Sequence, residues 1–471
     1  MRFYSFESRS VRWGAILGAI ALSSTACDTK KVLDVFDPAV ATPGSLTSEG
    51  AIPTVYFGAL GDFSAAWDGN GLTDAFVPTS GLLADEFRSS DTFTTRNDAD
   101  RRTQAAPANG NLSDNSYVAL QRARRSLEVG AELVTKFKTT KDERVSELTA
   151  LAGYTYLAFG EGFCGNVPVP PTARAEEILP AVGIGTVALF DTSTVRFNAA
   201  ITAIGATPTT AALPALNLAR VGLGRALLNE AKYAEAAAAV ATVPTSFVYK
   251  LFYSSNTTRQ QNSLWNLNGS NNRYTMSDTE GTNGLNYRSA NDPRIPWKRL
   301  GNGFDQVTIV YQQLLQPTAD ADLPLADGVE ARLIQAEALL NAGNATWLDT
   351  LNALRANVNT LQAARYADFT TVSATDSVTA TTLPPLVDPG TAAARVNLIF
   401  RERAFWLYAT GHRLGDMRRL IRNYGRTAAT VFPVGTSTKN GAFGNDVNLA
   451  IAFGEQNNTA YVPSACITTA P

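Results

Sequence analysis

Apolar residues return at helical spacing in three stretches of this chain, and each stretch breaks once near its middle. In 116–134 the spacing runs through Val118, Ala119, Arg122, Leu127 and Ala131, and in 143–163 through Val145, Leu148, Leu151, Ala152, Tyr156 and Phe159. The string GNVPVPP then stops the second helix, since proline cannot continue it. A second pair spans 215–243 with a turn at Asn229–Lys232, and a third spans 326–358. Both carry ALLN just before the turn, at 226–229 and 338–341, with alanines where two helices would touch. Recurring helix–turn–helix units with small residues at their contacts predict tetratricopeptide-like stacking in a mainly α chain.

Between these units the periodicity fades. Residues 59–115, 251–310, 361–394 and 425–471 are rich in Gly, Ser, Asp, Asn and Thr. Loops of this length in a compact domain are functional or disordered. Their aromatics, among them Phe63, Trp67, Phe76, Trp265, Tyr274, Tyr287, Trp297, Phe304 and Phe443, argue for order. The expected organisation is a single helical repeat domain over 46–471 with long irregular insertions and a loop-rich ligand face formed by about 59–115 and 251–310.

The first 45 residues read differently. Arg2, Arg9 and Arg12 precede a short apolar stretch, Trp13 to Leu22, and small residues then lead to Cys27. This is the pattern of a signal peptide over 1–26, too short to span a bilayer. A cysteine at the cleavage point resembles a bacterial lipobox, with Ser24 where leucine is usual, so Cys27 is the expected lipidation site and 27–45 a tether. The alternative is an ordinary secretory signal. Export leaves Cys164 and Cys466 in an oxidising compartment, where an even pair points to a disulfide; the alternative is two separate buried thiols.

Composition narrows the function. The net charge of −2 gives no basic footprint for nucleic acid. One histidine, His412, makes a histidine-built metal site or a Ser-His-Asp arrangement hang on a single residue. No nucleotide loop, nucleophile elbow or paired-cysteine metal motif occurs, and GLGRALLN at 222–229 sits within an alanine-rich helix.

Residues 401–420, RERAFWLYATGHRLGDMRRL, concentrate charge where apolar side chains are expected. Leu398, Glu402, Phe405 and Ala409 share one helical stripe, and Ile399, Arg403 and Leu407 the next. The segment closes a series that runs from CDTKKVLDV through YLAFGEGFCGNVPV, NDPRIPW and EARLIQAEALLNAGNATWLDTLNALRA. In this order the pieces resemble the SusD/RagB-like nutrient-uptake lipoproteins of the bacterial outer membrane. The matching positions are Glu402–Arg403, Phe405, Gly411, Arg413, Asp416 and Arg419, and earlier Glu330, Ala336–Glu337–Ala338, Gly343, Asn352 and Arg355. Thr410 departs from the glutamate often found there. The resemblance implies a non-enzymatic, lipid-anchored protein facing the cell exterior, without a cofactor. Such a protein binds a nutrient, commonly a glycan, and passes it to a SusC-like TonB-dependent barrel.

Gly411 fits the residue after a helix end, so the chain is expected to turn back there. That turn brings Arg413, Asp416 and Arg419 beside Glu402 and Arg403 in a structural ion-pair network. The competing reading is an acid–base cluster of Glu402, His412 and Asp416. For ligand contact, aromatic platforms beside polar edges suit sugars. The candidates are Trp265, Asn268, Asn271, Arg273, Tyr274 and Tyr287, with Trp67 on the other loop stretch. A peptide-binding or scaffolding repeat protein is the alternative function, and a secreted hydrolase a third.

Overall fold

The computed structural model describes residues 48–104, 112–138, 141–171, 180–366, 378–439 and 441–471. The signal, Cys27 and the tether lie outside the described residues. Helices α1 (Ile52–Trp67), α2 (Phe76–Leu83) and α3 (Thr94–Asp100) come first, then α4 (Ser113–Phe137), α5 (Glu143–Gly162) and α6 (Thr186–Ile204). Next are α7 (Leu213–Asn229), α8 (Tyr233–Val240), α9 (Gly328–Asn341), α10 (Trp347–Ala356) and α11 (Val358–Arg365). The last long pair is α12 (Ala392–Trp406) and α13 (Arg413–Tyr424).

The repeats stack as the spacing predicts. Helices α5, α7 and α9 lie side by side, and α6, α8 and α10 follow each as its second helix. Both ALLN strings end a first helix, at Asn229 and Asn341. Close approach explains the glycines of GLGRALLN. The Phe197 ring of α6 lies between Gly153 of α5 and Gly222 of α7, and a Cβ at Gly222 would overlap it. Helix α4 packs on α5, as expected, but α5 finds its repeat partner in α6, which the pattern of apolar positions does not announce. Its threonines and valines blur the pattern, although Leu189, Phe190, Phe197, Ala200 and Ile204 are buried at helical spacing.

The 59–115 stretch is less irregular than expected. It holds most of α1 and all of α2 and α3. Proline in the first turn of α1 needs no N–H partner there, and Ala59, Phe63, Ala66 and Trp67 form its buried stripe. Short antiparallel ribbons fix the insertions. Strand β1 (Phe87–Ser89) pairs with β5 (Tyr274–Met276), setting Ser89 opposite Tyr274, so the two loop stretches are joined edge to edge. Strands β2 (Val167–Pro168) and β3 (Gly183–Ile184) pair likewise, as do β4 (Val248–Leu251) with β8 (Leu323–Asp327) and β6 (Trp297–Asn302) with β7 (Ile309–Gln313). Cys164 and Cys466 are joined by a disulfide. It ties the end of the chain to the residue after the α5 cap.

The charged segment forms a corner laid on the first helices. Helix α12 stops at Trp406, ahead of Gly411. Ala409 (φ 57°) and Gly411 (φ 82°) both take left-handed backbone. Glu86 holds the turn: Ala409 N–H donates to its Oε1 at 2.8 Å, and Tyr408 O–H donates to its main-chain oxygen at 2.9 Å.

The expected single network divides into clusters, because Glu402 and Arg403 are adjacent and leave the helix about 100° apart. Glu402 accepts from Arg294 and Arg355, each at 2.7 Å, and does not join Asp416. Arg403 donates to Asp416 at 2.7 and 2.9 Å, Arg419 donates to Asp416 at 2.8 Å, and Arg419 also reaches Glu337 of α9 at 3.0 Å. Arg413 pairs with Asp85 at 2.6 and 2.9 Å rather than with Asp416.

Arg225 of α7 donates to Glu161 of α5, to the Gly411 carbonyl and to His412 Nε2. Thr410 O–H donates to Leu407 O, so Thr410 can only accept from His412 Nδ1 at 2.8 Å, which puts the ring proton on Nδ1. Glu330 Oε1 stands 3.0 Å from Nε2, its carboxyl pushed up by burial to about 7. Burial and the Arg225 cation hold His412 well below its usual pKa, and the ring is neutral. The acid–base reading fails on this geometry: Glu402, His412 and Asp416 are all buried and sit in separate clusters.

Candidate functional site

Most of the aromatic ligand candidates are core residues. Tyr274 is fully buried in β5, and its hydroxyl donates to Asp74 at 2.6 Å. Tyr287 is fully buried against Tyr408 and Phe405, with ring centroids 4.9 and 5.3 Å away. Trp67 is fully buried between Phe63 and Phe76. Asn268 is a buried strut. Its amide donates to Tyr274 O and Tyr311 O at 3.0 Å each, and its oxygen accepts from Gln313 N–H at 2.9 Å. These four cannot meet a ligand at the surface. The polar sequence around Tyr274 suggests a loop tip, but the pairing with β1 turns it inward. Trp265, at the start of a π-helical turn over Trp265–Ser270, is half-buried, as are Asn271 and Arg273.

Arg273 leads to a surface that the sequence does not announce. Its guanidinium lies 3.8 Å from the centroid of Phe304 and 5.0 Å from that of Phe93. Both rings are prominent, 44% and 52% exposed. In sequence Phe304 is one loop aromatic among many and Phe93 carries no signal of its own; nothing in the spacing joins two phenylalanines so far apart.

The rings stand on loops laced to one another around Ser90. Ser90 N–H donates to Arg273 O at 2.8 Å, and its hydroxyl donates to Asn272 O at 2.8 Å. Phe304 N–H also donates to Asn272 O, and Asp305 N–H to Ser90 O at 3.0 Å. Gly303 is required there, since a Cβ would stand 2.5 Å from Ser90 Cβ. Asp91 sits beneath and accepts from Arg273 at 2.9 and 3.0 Å, from Arg96, and from the Thr92 and Phe93 amides. Burial pushes Asp91 up, but Arg96 and Arg273 outweigh it and hold the carboxyl below its usual range. Asp305 is likewise drawn down to about 2, the Lys439 ammonium and the Thr308 and Val307 bonds overriding burial.

A separate cleft of about 750 Å³ opens between α1, α5 and β4. Tyr56 and Tyr249 hydroxyls donate to the two oxygens of Glu147 at 2.5 and 2.6 Å, and the exposed rings of Phe57 and Phe252 line it. Its one carboxylate is already taken by the two tyrosines, and further polar groups on its lining, Lys250, Ser254, Arg259 and Gln260, stand on the β4 side. The Phe93–Arg273–Phe304 surface offers two partly exposed rings, each with a guanidinium over it, beside fixed charges and amides. Among the described residues no group of acids, histidines and cysteines could hold a metal ion, and no helix is long and apolar enough to cross a membrane.

The arrangement of repeats and insertions has counterparts among solved structures. A SusD superfamily protein from Bacteroides fragilis aligns over 88% of this chain and 99% of its own, with a TM-score of 0.62 and 16% identity. The fold is that of the SusD superfamily. A SusD superfamily protein from Parabacteroides distasonis gives a TM-score of 0.62 at 14% identity, over 88% of this chain and 98% of that one. A protein described as a laminarin-binding SusD-like protein gives 0.59 at 14% identity, with the same coverage of 88% and 98%. No protein-family model matches the sequence, and no curated relative does. In this chain, β1, the Phe93 turn and the Phe304 loop come together through insertions that lie outside the helical repeats.

Proposed function

We propose that this chain is a non-enzymatic binding protein that takes a glycan on the Phe93–Arg273–Phe304 surface. The carrying observation is a pair of exposed rings on loops cross-bonded by their backbones. Pyranose rings present flat C–H faces edged by hydroxyls, and rigid aromatic planes beside fixed polar groups suit them. A SusD-like protein that binds laminarin supports the ligand class. Processing at Cys27 would anchor the mature protein to the outer membrane by lipid, facing outward, and the glycan would pass to a TonB-dependent barrel.

Titration with laminarin and a panel of other glycans tests this. Phe93→Ala and Phe304→Ala should each weaken binding by roughly 0.5–1.5 kcal/mol, the usual worth of an aromatic contact, and leave the melting temperature unchanged. Unaltered affinity in both variants would move the site elsewhere. The exposed Phe57 and Phe252 beside an apolar cleft favour one other reading, docking of an apolar protein segment as in a peptide-binding or scaffolding role. A peptide library that binds the parent but not Phe57→Ala would support that role instead.

A further inference from the structure

Among the described residues several arginines, Arg102, Arg332, Arg418 and Arg422 among them, donate to neutral acceptors, and two more of this kind share one recess. A recess of about 380 Å³ between α12, α13 and residues 283–285 is lined by Arg401, Arg413 and Arg426, with Phe400 and Leu420 as apolar wall. Arg413 is matched by Asp85. The neighbouring cluster is also balanced: the cations Arg294 and Arg355 face the carboxylates Asp292 and Glu402. Arg401 and Arg426, by contrast, form no ion pair among the described residues. Arg401 donates to the amide oxygen of Asn286 at 2.9 Å, and Arg426 donates to Ala393 O and to Asn397 Oδ1 at 3.0 Å each. Neutral acceptors satisfy N–H groups without cancelling charge.

We infer that this recess binds a small anion, a carboxylate or sulfate carried on a ring. Two arginines line one concavity and supply the charge, and forked guanidinium donors match the planar geometry of a carboxylate or the face of a sulfate. Phe400 and Leu420 would take the apolar side of the ring that bears it. Burial, with the Arg294 cation, outweighs the nearby Glu402 and Asp292 carboxylates and lowers the Arg401 pKa, and an arriving anion would favour its charged form. The recess is independent of the Phe93–Arg273–Phe304 surface, and Phe93→Ala should leave its binding intact. A sugar acid and an anionic lipid headgroup share the required chemistry.

Thermal melts of the full mature protein provide the test. Sodium sulfate and glucuronate are compared with sodium chloride at matched ionic strength and with glucose. Either anion should raise the midpoint saturably by mass action, and glucose should not. Arg401→Gln and Arg426→Gln should abolish the rise, whereas Arg299→Gln, on the exposed edge of β6, should keep it. A rise that persists in both recess variants, or that never saturates, would overturn the proposal. Should Arg401→Gln fold poorly, equilibrium dialysis of labelled sulfate against the parent decides alone, and no binding there or to glucuronate or vesicles sinks the idea. Saturation by glucuronate identifies a sugar acid. Sedimentation of the parent, but not Arg426→Gln, with phosphatidylglycerol vesicles identifies a headgroup.

Discussion

Asp85 and Glu86 are neighbours in sequence with opposite electrostatic lives. Asp85 is fully buried and matched by Arg413. Arg413→Ala would leave that carboxylate unpaired, so the variant should lose roughly 3–5 kcal/mol of stability, measured by urea unfolding. Glu86 is also buried, but its Oε1 accepts only an amide and its Oε2 has no partner. Burial pushes its pKa from the ordinary 4.5 up to about 8, so the folded protein holds the proton across the neutral range. A raised folded pKa means that the contribution is complete below 4.5 and is lost as pH rises through 8. Glu86→Gln keeps the acceptor and cannot ionise, and should flatten the fall in melting temperature across that window. An unchanged pH profile would show that Glu86 is charged when folded. Asp416 has the opposite sign. Burial opposes its ionisation, but Arg403 and Arg419 override it and hold its pKa below 3.8, so its stabilisation fades only as pH drops beneath that value. The two effects therefore occupy separate pH ranges.

Among the helices, glycine separates packing from propensity. Gly222 of α7 and Gly153 of α5 face the same Phe197 ring, and a Cβ at Gly153 would stand 2.9 Å from it. Gly222→Ala overpacks this junction and should cost roughly 1–3 kcal/mol. Gly58 lies mid-helix in α1, where an added methyl would meet nothing within 4 Å, so Gly58→Ala should stabilise by roughly 0.5–1 kcal/mol. Paired thermal melts read both signs, and a stabilising Gly222→Ala would refute the close-packed junction. The repeats also carry the charged corner. Arg225 and Glu337 each stand immediately before an ALLN string, at one position of two successive first helices. They bear opposite charges, and each meets a different part of the corner, Arg225 at Gly411 and His412 and Glu337 at Arg419.

At the scale of the whole described chain, the C-terminal segment returns to the start of the repeats. Cys164 N–H donates to Leu449 O at 2.9 Å, Ser113 O–H to Ala450 O at 2.8 Å, and Tyr117 O–H to Glu455 at 2.9 Å. The disulfide closes a sequence separation of 302 residues over this seam. Its loss in Cys466→Ser should lower stability by roughly 2–4 kcal/mol, with limited proteolysis cutting first after 441. Equal protease resistance in parent and variant would show that the hydrogen bonds hold the tail unaided.

The helical repeats, the two ALLN turns and the presence of paired charge in 401–420 are properties of the sequence alone. They rest on local periodicity and on the cost of burying an unmatched ion, and neither depends on what the chain meets elsewhere. Which charges pair was not legible. Asp85, Arg294, Glu337 and Arg355 lie far in sequence from the charges they neutralise, and only tertiary packing, with α12 on α9 and α13 on α2 and α5, brings them together. The same limit governed the ligand face. Composition pointed to 59–115 and 251–310, and both do meet, but a strand register decided that Tyr274 faces inward. Shifting a strand by one residue exchanges its two faces, and no count of aromatics or asparagines carries that information. Phe93 and Phe304 became neighbours of Arg273 only through backbone bonds between loops far apart in sequence, which tertiary structure alone can supply.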